Sequence, residues 1–85
     1  MLIQLRFFAG VREALGTASE SIDLPKHVVT VGDVRAFLCA RGGLWAESLS
    51  AKKSLRMAYD QVMTDADTMI EEGGEVAFFP PVTGG

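Results

Sequence analysis

The sequence predicts a single α+β domain in which a mixed sheet of four to five strands packs on one main helix. Alternating apolar residues near both ends of the chain, a helical apolar stripe between them and a length of 85 residues support this prediction. Alternation at a period of two indicates a strand with one buried face, whereas a period near 3.6 indicates a helix. A chain of this length buries about 60% of its unfolded surface, enough for one small core.

The first third of the chain predicts two strands joined by a short helix. Residues 2–8 alternate, and we expect their odd-numbered apolar side chains to lie in the core. The period changes over residues 9–15, where a short helix is expected to end before Gly16, because glycine readily adopts the left-handed backbone that follows helices. Residues 19–24 alternate again, and Pro25 stops this second strand.

The main helix is predicted to begin after Thr30 and to run to about Arg41. Thr30 and Asp33 form a capping box, with Asp in place of the usual Glu. A glycine pair ends the helix, and Trp45 is expected to pack in the irregular or short helical piece that follows. Apolar residues and one arginine share a single stripe of the main helix: Val31, Val34, Phe37, Leu38 and Arg41.

The rest of the chain completes the sheet. Residues 55–62 predict a third strand that turns near Asp60, followed by a short strand around Val62. A turn through residues 71–74, which contain paired glycines, leads into the final strand at residues 75–79. Parallel pairing of the first and last strands would make this arrangement a β-grasp.

The last eight residues, FFPPVTGG, predict an exposed tail. Pro80 and Pro81 cannot donate hydrogen bonds to a sheet, so the last strand should end at Phe79. We therefore divide the chain into a packed domain of residues 1–79 and a flexible, extended tail of residues 80–85. Unless it is held from outside, a Gly-Gly end should stay mobile.

The shape of this tail indicates its chemistry. A terminal glycine has no Cβ beside its carboxylate, so it can enter a narrow channel and present its carbonyl carbon to another protein. The carboxylate is a poor electrophile and must be activated, most simply as an acyl-adenylate, before a nucleophile attacks it. A protein amine, a thiol or sulfide could be that nucleophile. The alternative is a frayed end with no role.

Aromatic side chains near the tail predict a docking patch. If Phe78 points toward the main helix, Ala77 and Phe79 point to the opposite face, which no other element covers. Phe8 would join them, and we expect Phe8, Phe79 and Pro80 to contact a partner. The alternative is that Phe79 lies in a local core.

Composition limits the other classes of function. The net charge is −3 without any Lys/Arg cluster, so nucleic acid is not an expected partner, and a partner with a basic docking surface or channel is expected. No apolar run approaches about 20 residues and no secretory signal is present, so no membrane association is expected. The single cysteine, Cys39, fits a reducing cytoplasm and a structural role, and the lone His27 predicts no metal site.

Two motifs resemble a known family. The sequence EVAFFPPVTGG at residues 75–85 and the sequence FFAGVRE at residues 7–13 resemble the small, sulfur-carrying subunit of molybdopterin synthase, a ubiquitin-like β-grasp protein. The ending PPVTGG is the most specific part, because ubiquitin and the thiamin-pathway sulfur carrier share only the Gly-Gly. Length and element order agree over essentially the whole chain.

The resemblance implies a sulfur carrier in molybdenum cofactor biosynthesis. An E1-like, ATP-using enzyme would adenylate the Gly85 carboxylate, and sulfur would replace AMP to give a terminal thiocarboxylate, 1-thioglycine. The large catalytic subunit would accept the tail and pass its sulfur to a pyranopterin precursor, and the family implies a heterotetramer of two small and two large subunits. The tail residues that would enter its channel are Pro80, Pro81, Val82, Thr83 and Gly84.

The resemblance also implies that this chain is not catalytic alone. No cofactor is expected to bind stably, and the nucleotide belongs to the activating enzyme. Two other functions remain open: a sulfur carrier for another pathway such as thiamin synthesis, and a ubiquitin-like protein modifier or interaction module.

Overall fold

Five strands and three helices form residues 1–81, the part of the chain that the computed structural model describes. In chain order they are β1 (Leu2–Phe7), α1 (Ala9–Leu15), β2 (Ser19–Asp23), α2 (Val31–Cys39), α3 (Gly43–Ser48), β3 (Arg56–Tyr59), β4 (Val62–Thr64) and β5 (Glu75–Phe79).

The strands form one mixed sheet in the order β2-β1-β5-β3-β4. β1 and β5 pair in parallel, with Phe7 opposite Phe78, whereas the other neighbouring strands are antiparallel. The predicted α+β fold, its mixed sheet and the pairing of the first strand with the last are therefore confirmed. Parallel strands run in the same direction, so β1 and β5 end at the same edge of the sheet.

The core lies between the sheet and α2. The inward residues of β1, Ile3, Leu5 and Phe7, are each at most 1% exposed, as their alternation predicts. On α2, the stripe residues Val34 and Leu38 are fully buried. Burial of each such side chain stabilises the fold by about 1.5–3 kcal/mol relative to exposure.

A capping box begins α2, as predicted. The Thr30 hydroxyl accepts a hydrogen bond from the Asp33 backbone amide at 3.0 Å, and the Asp33 carboxylate accepts from the amides of Thr30 and Val29 at 3.2 and 3.0 Å. These bonds lower the pKa of Asp33 because they favour the charged carboxylate. The bond from the Val29 amide has the largest effect on this pKa.

The predicted end of α2 at Arg41 is wrong, because the helix ends at Cys39. The Arg41 guanidinium instead donates to the Glu20 carboxylate at 2.9 Å and lies 4.4 Å from the centre of the Trp45 ring. These contacts favour a position outside the helix. The hydrogen bond with Arg41 also lowers the pKa of Glu20.

Two smaller elements also differ in detail from their predictions. The piece after the glycine pair is the helix α3, and its Trp45 packs edge-on against Phe7 with ring centres 5.6 Å apart, so its packing role is confirmed. The strand β2 ends at Asp23 rather than Leu24. The Asp23 position is the last that pairs with β1, although Leu24 still donates its amide to the Met1 carbonyl at 2.8 Å.

Candidate functional site

The candidate site lies at the sheet edge where β1 and β5 end together. Phe8 follows the last residue of β1, and Phe79 is the last residue of β5. The Phe8 amide donates to the Phe78 carbonyl at 3.1 Å, which extends the parallel pairing beyond β1. The chain therefore leaves the sheet at Phe79 directly beside Phe8.

Four phenylalanines form two ring pairs on opposite faces of the sheet. On the inner face, Phe7 and Phe78 are at most 1% exposed, and their rings stack with centres 6.0 Å apart. On the outer face, Phe8 and Phe79 stack with centres 4.6 Å apart and an interplanar angle of 4°, and both side chains are only half-buried. We call Phe8 and Phe79 the aromatic patch.

Charged and small side chains surround the aromatic patch. The Arg6 guanidinium lies 5.5 Å from the centre of the Phe8 ring and 3.7 Å from the Glu75 carboxylate. Ala77, which we expected on an uncovered face, is only 3% exposed, because Arg6 and Ala58 flank its short side chain in the sheet.

The base of the tail forms one wall of a cleft outside the aromatic patch. Pro80 is half-buried and Pro81 is exposed, and both line a cleft of about 130 Å³. We call it the tail cleft. Its other walls are Gly10, Val11 and Ala14 of α1, Ser48 of α3, and Lys53 and Leu55 of the following loop.

The structure thus places the predicted site residues in two adjoining regions. Phe8 and Phe79 form one region on the outer face, and Pro80 and Pro81 line the other, the tail cleft, together with α1 and the loop before β3. The remaining tail residues, Val82, Thr83, Gly84 and Gly85, lie outside the described residues.

Sequence reasoning missed the walls of the tail cleft. Gly10 and Ala14 are four residues apart on α1, so they lie on one side of the helix, and this side lines the cleft. That spacing could have predicted the α1 wall. Lys53 and Leu55 carry no comparable signal, because their position depends on the path of a loop.

The other two candidate residues, Cys39 and His27, lie outside the aromatic patch and the tail cleft. The Cys39 thiol donates to the Leu49 carbonyl at 3.0 Å, and His27 lies on an exposed turn. Within residues 1–81, no group of three or more His, Cys, Asp or Glu side chains could hold a metal ion. In the same range, no helix is long and apolar enough to cross a membrane.

These features define a ubiquitin-like β-grasp protein whose final strand delivers a C-terminal segment beside an aromatic patch. The model of the ThiS family matches residues 5–85. The chain belongs to the ThiS family.

Its relatives carry a specific name. The chain is 41% identical to a molybdopterin synthase sulfur carrier subunit of Escherichia coli and 37% identical to one of Haemophilus influenzae; each alignment covers 99% of this chain and all of the relative. The predicted resemblance is confirmed.

A solved complex of subunits 1 and 2 of the molybdopterin-converting factor from Helicobacter pylori contains the same fold. The chain matches it with a TM-score of 0.67, 21% identity and complete coverage of both chains. At that identity, the match supports the ubiquitin-like fold alone.

Proposed function

We propose that this chain is the sulfur carrier of a molybdopterin synthase in the cytoplasm. The observation that carries the proposal is identity of 41% and 37%, over 99% of the chain, to relatives named molybdopterin synthase sulfur carrier subunit. The ending PPVTGG and the position of Pro80 in the tail cleft support it. Residues 1–79 are the packed carrier domain, and residues 80–85 are the tail that holds the cargo.

Loading takes place at the Gly85 carboxylate. Carboxylate oxygen attacks the α-phosphorus of ATP in an E1-like enzyme, releasing pyrophosphate and forming an acyl-adenylate. A sulfur nucleophile then displaces AMP, which leaves a thiocarboxylate, 1-thioglycine, at the end of the chain. The activating enzyme supplies the nucleotide site, so this chain needs no cofactor of its own.

Unloading takes place in the large catalytic subunit. The thiocarboxylate is an anion at neutral pH and a better nucleophile than a carboxylate, so its sulfur can attack an electrophilic carbon of a pyranopterin precursor, whose oxygen substituent takes up a proton and leaves as water. Water then cleaves the bond between the acyl carbon and sulfur, and the carboxylate is regenerated. The large subunit must enclose the tail in a channel. The tail residues in this channel are Pro80, Pro81, Val82, Thr83 and Gly84.

The aromatic patch docks the domain on the large subunit. Paired, half-buried aromatic rings beside the tail offer apolar area at little conformational cost, as binding hot spots do. Two small and two large subunits form the complex. The converting factor of Helicobacter pylori, which has this fold in its solved structure, is a protein–protein complex of its subunits 1 and 2.

Intact mass spectrometry tests the loading step. The chain is incubated with an E1-like adenylating enzyme of a molybdopterin synthase system, ATP and a sulfide source. Replacement of one carboxylate oxygen by sulfur adds about 16 mass units, whereas conjugates of much higher mass would identify a protein modifier. No mass change, with the same enzyme active on its own carrier, would contradict the proposal.

A second reaction separates the two sulfur-carrier pathways. The thiocarboxylate form is incubated with the large subunit of a molybdopterin synthase and its precursor, and in parallel with the acceptor enzyme of thiamin synthesis. We expect sulfur transfer only in the first reaction. Transfer only in the second would assign the chain to the thiamin pathway.

A further inference from the structure

One arginine outside the aromatic patch holds the loop that forms a wall of the tail cleft. The Arg35 side chain, on α2, donates from Nε to the Leu49 carbonyl at 2.8 Å and from Nη2 to the Lys53 carbonyl at 2.7 Å. Its Nη2 also donates to the Ser50 carbonyl. A single guanidinium thus bonds three carbonyls in a loop that has no helix or strand structure of its own.

Side chains of α2 bond the loop from one side, and its end residues Leu49 and Leu55 pack in or against the core. Within it, the Lys53 amide donates to the Ser50 carbonyl and the Leu55 amide to the Lys53 carbonyl, both at 2.9 Å. These bonds tie the loop to itself, whereas the bonds from Arg35 tie it to α2. Besides Arg35, Cys39 reaches the loop from α2, through its bond to the Leu49 carbonyl.

The opposite side of the same loop faces the tail. Lys53 and Leu55 line the tail cleft together with Pro80 and Pro81. Lys53 therefore belongs to both contacts: its carbonyl accepts from Arg35, and the residue forms part of the wall beside the prolines. A shift of the loop away from α2 would change the shape of the cleft that Pro80 and Pro81 line.

We propose that Arg35 is a positioning residue that sets the width of the tail cleft and thereby the space beside Pro80 and Pro81. Arg35 does not line the cleft; it holds the loop from residue 49 to residue 55, whose Lys53 and Leu55 line the same cleft as Pro80 and Pro81. The effect of Arg35 on docking rests on the proposed function. A cleft of fixed width presents Pro80 and Pro81 to a partner in one arrangement, so less of the binding free energy is used to order them.

Arginine suits this role and lysine does not. The guanidinium is planar and carries five N–H donors in fixed directions, so one group can bond several carbonyls at once, whereas a lysine ammonium is a point charge on a flexible stem. Arg35→Lys should therefore keep the charge but hold the loop only in part. Arg35→Met should keep most of the apolar stem and lose all three bonds.

Hydrogen exchange of the free chain tests the contact itself. In Arg35→Met, we expect the amides of Lys53 and Leu55 to exchange about tenfold faster than in the natural sequence, because their loop opens more often. In Arg35→Lys the increase should be smaller. Unchanged exchange at both amides in Arg35→Met would overturn the proposal.

Association with the large subunit of a molybdopterin synthase tests the consequence. Thr30→Ala is the matched control, because it removes the α2 cap and weakens the fold by about 1 kcal/mol, while Thr30 lines neither the loop nor the tail cleft. We expect the dissociation constant to rise about tenfold for Arg35→Met, less for Arg35→Lys and less than twofold for Thr30→Ala. The rate of sulfur transfer at saturating large subunit should change less than the dissociation constant.

The outcomes separate this inference from the proposed function. If the natural chain does not bind the large subunit, the proposed function fails and the docking role of Arg35 fails with it. If the natural chain binds and Arg35→Met binds no more weakly than Thr30→Ala, the proposed function stands and the positioning role of Arg35 is overturned.

Discussion

Neighbouring phenylalanines at the end of β5 should have opposite effects on stability and on binding. Phe78 is fully buried against the core, whereas Phe79 is half-buried on the outer face and stacks on Phe8. The pair differs by one position in the chain and is identical in chemistry. Phe78→Ala and Phe79→Ala therefore control for one another.

The structure gives the size of each effect. Replacement of a fully buried phenylalanine by alanine costs about 3–5 kcal/mol, from a total stability of about 4–13 kcal/mol expected for a chain of this length. Phe78→Ala should thus lower the melting temperature by about 12 °C or more, at about 4–8 °C per kcal/mol. Phe79→Ala loses a ring stack of about 0.5–1.5 kcal/mol and should lower the melting temperature by about 2–12 °C, less than Phe78→Ala does.

Binding should show the reverse order. If the aromatic patch docks on the large subunit, loss of an aromatic hot spot of about 2 kcal/mol should raise the dissociation constant of Phe79→Ala about 30-fold. Phe78→Ala, measured well below its melting temperature, should bind within a few-fold of the natural chain. The assays are thermal unfolding by circular dichroism and calorimetric titration with the large subunit.

One result would refute the reasoning. If Phe79→Ala were destabilised as much as Phe78→Ala and its folded fraction bound normally, Phe79 would be a core residue and the docking role would be lost. A double variant that also carries Phe8→Ala provides a further check. Because the two rings contact each other, its effect on binding should be smaller than the sum of the two single effects.

Three further predictions concern stability. Gly74→Ala should cost about 1–3 kcal/mol by overpacking, because its new Cβ would lie 2.6 Å from ring carbons of Tyr59; Gly10→Ala, in α1 with open space around it, should cost nothing. Gln61→Gly should stabilise the chain by about 0.5–1 kcal/mol, because a side chain at a φ of 68° is strained. Asp33→Asn should make unfolding less sensitive to acid. Because the pKa of Asp33 is lower in the folded chain than its usual value of 3.8, the carboxylate stabilises the fold at pH values above 3.8. That stability is lost as the pH falls through the lower pKa of the folded chain.

Chemical denaturation measures all three effects. Equal unfolding free energies for Gly74→Ala and Gly10→Ala would contradict the steric argument, and a destabilised Gln61→Gly would contradict the strain at that turn. For Asp33→Asn, unfolding is followed from about pH 5 to about pH 2. The same loss of stability in the variant as in the natural chain would exclude Asp33 as a source of the acid dependence.

The sheet and the core were predictable because their patterns are local. Alternation in residues 2–8 identified the inward side chains Ile3, Leu5 and Phe7 without knowledge of their partners. Alternation within the last strand, residues 75–79, likewise placed Phe79 on the face opposite Phe78. Prolines that cannot join a ladder marked the end of the last strand.

Features that depend on distant partners were not predictable. Arg41 continues the helical stripe of α2, yet it leaves the helix for Glu20 on β2 and for Trp45. Arg35 carries no sequence signal for its role, because its acceptors are backbone carbonyls that any residues could supply. The tail cleft likewise depends on how α1, α3 and the loop meet, which no periodicity encodes.

The position of β5 has a consequence for synthesis of the protein. Of the five described strands, β5 is synthesised last, yet it lies at the centre of the sheet between β1 and β3. A nascent or truncated product that stops before Glu75 has two separated strand pairs and no shared ladder to join them. Folding of the sheet is therefore coupled to translation of β5, and shortened products that lack this strand should be degraded rather than accumulate.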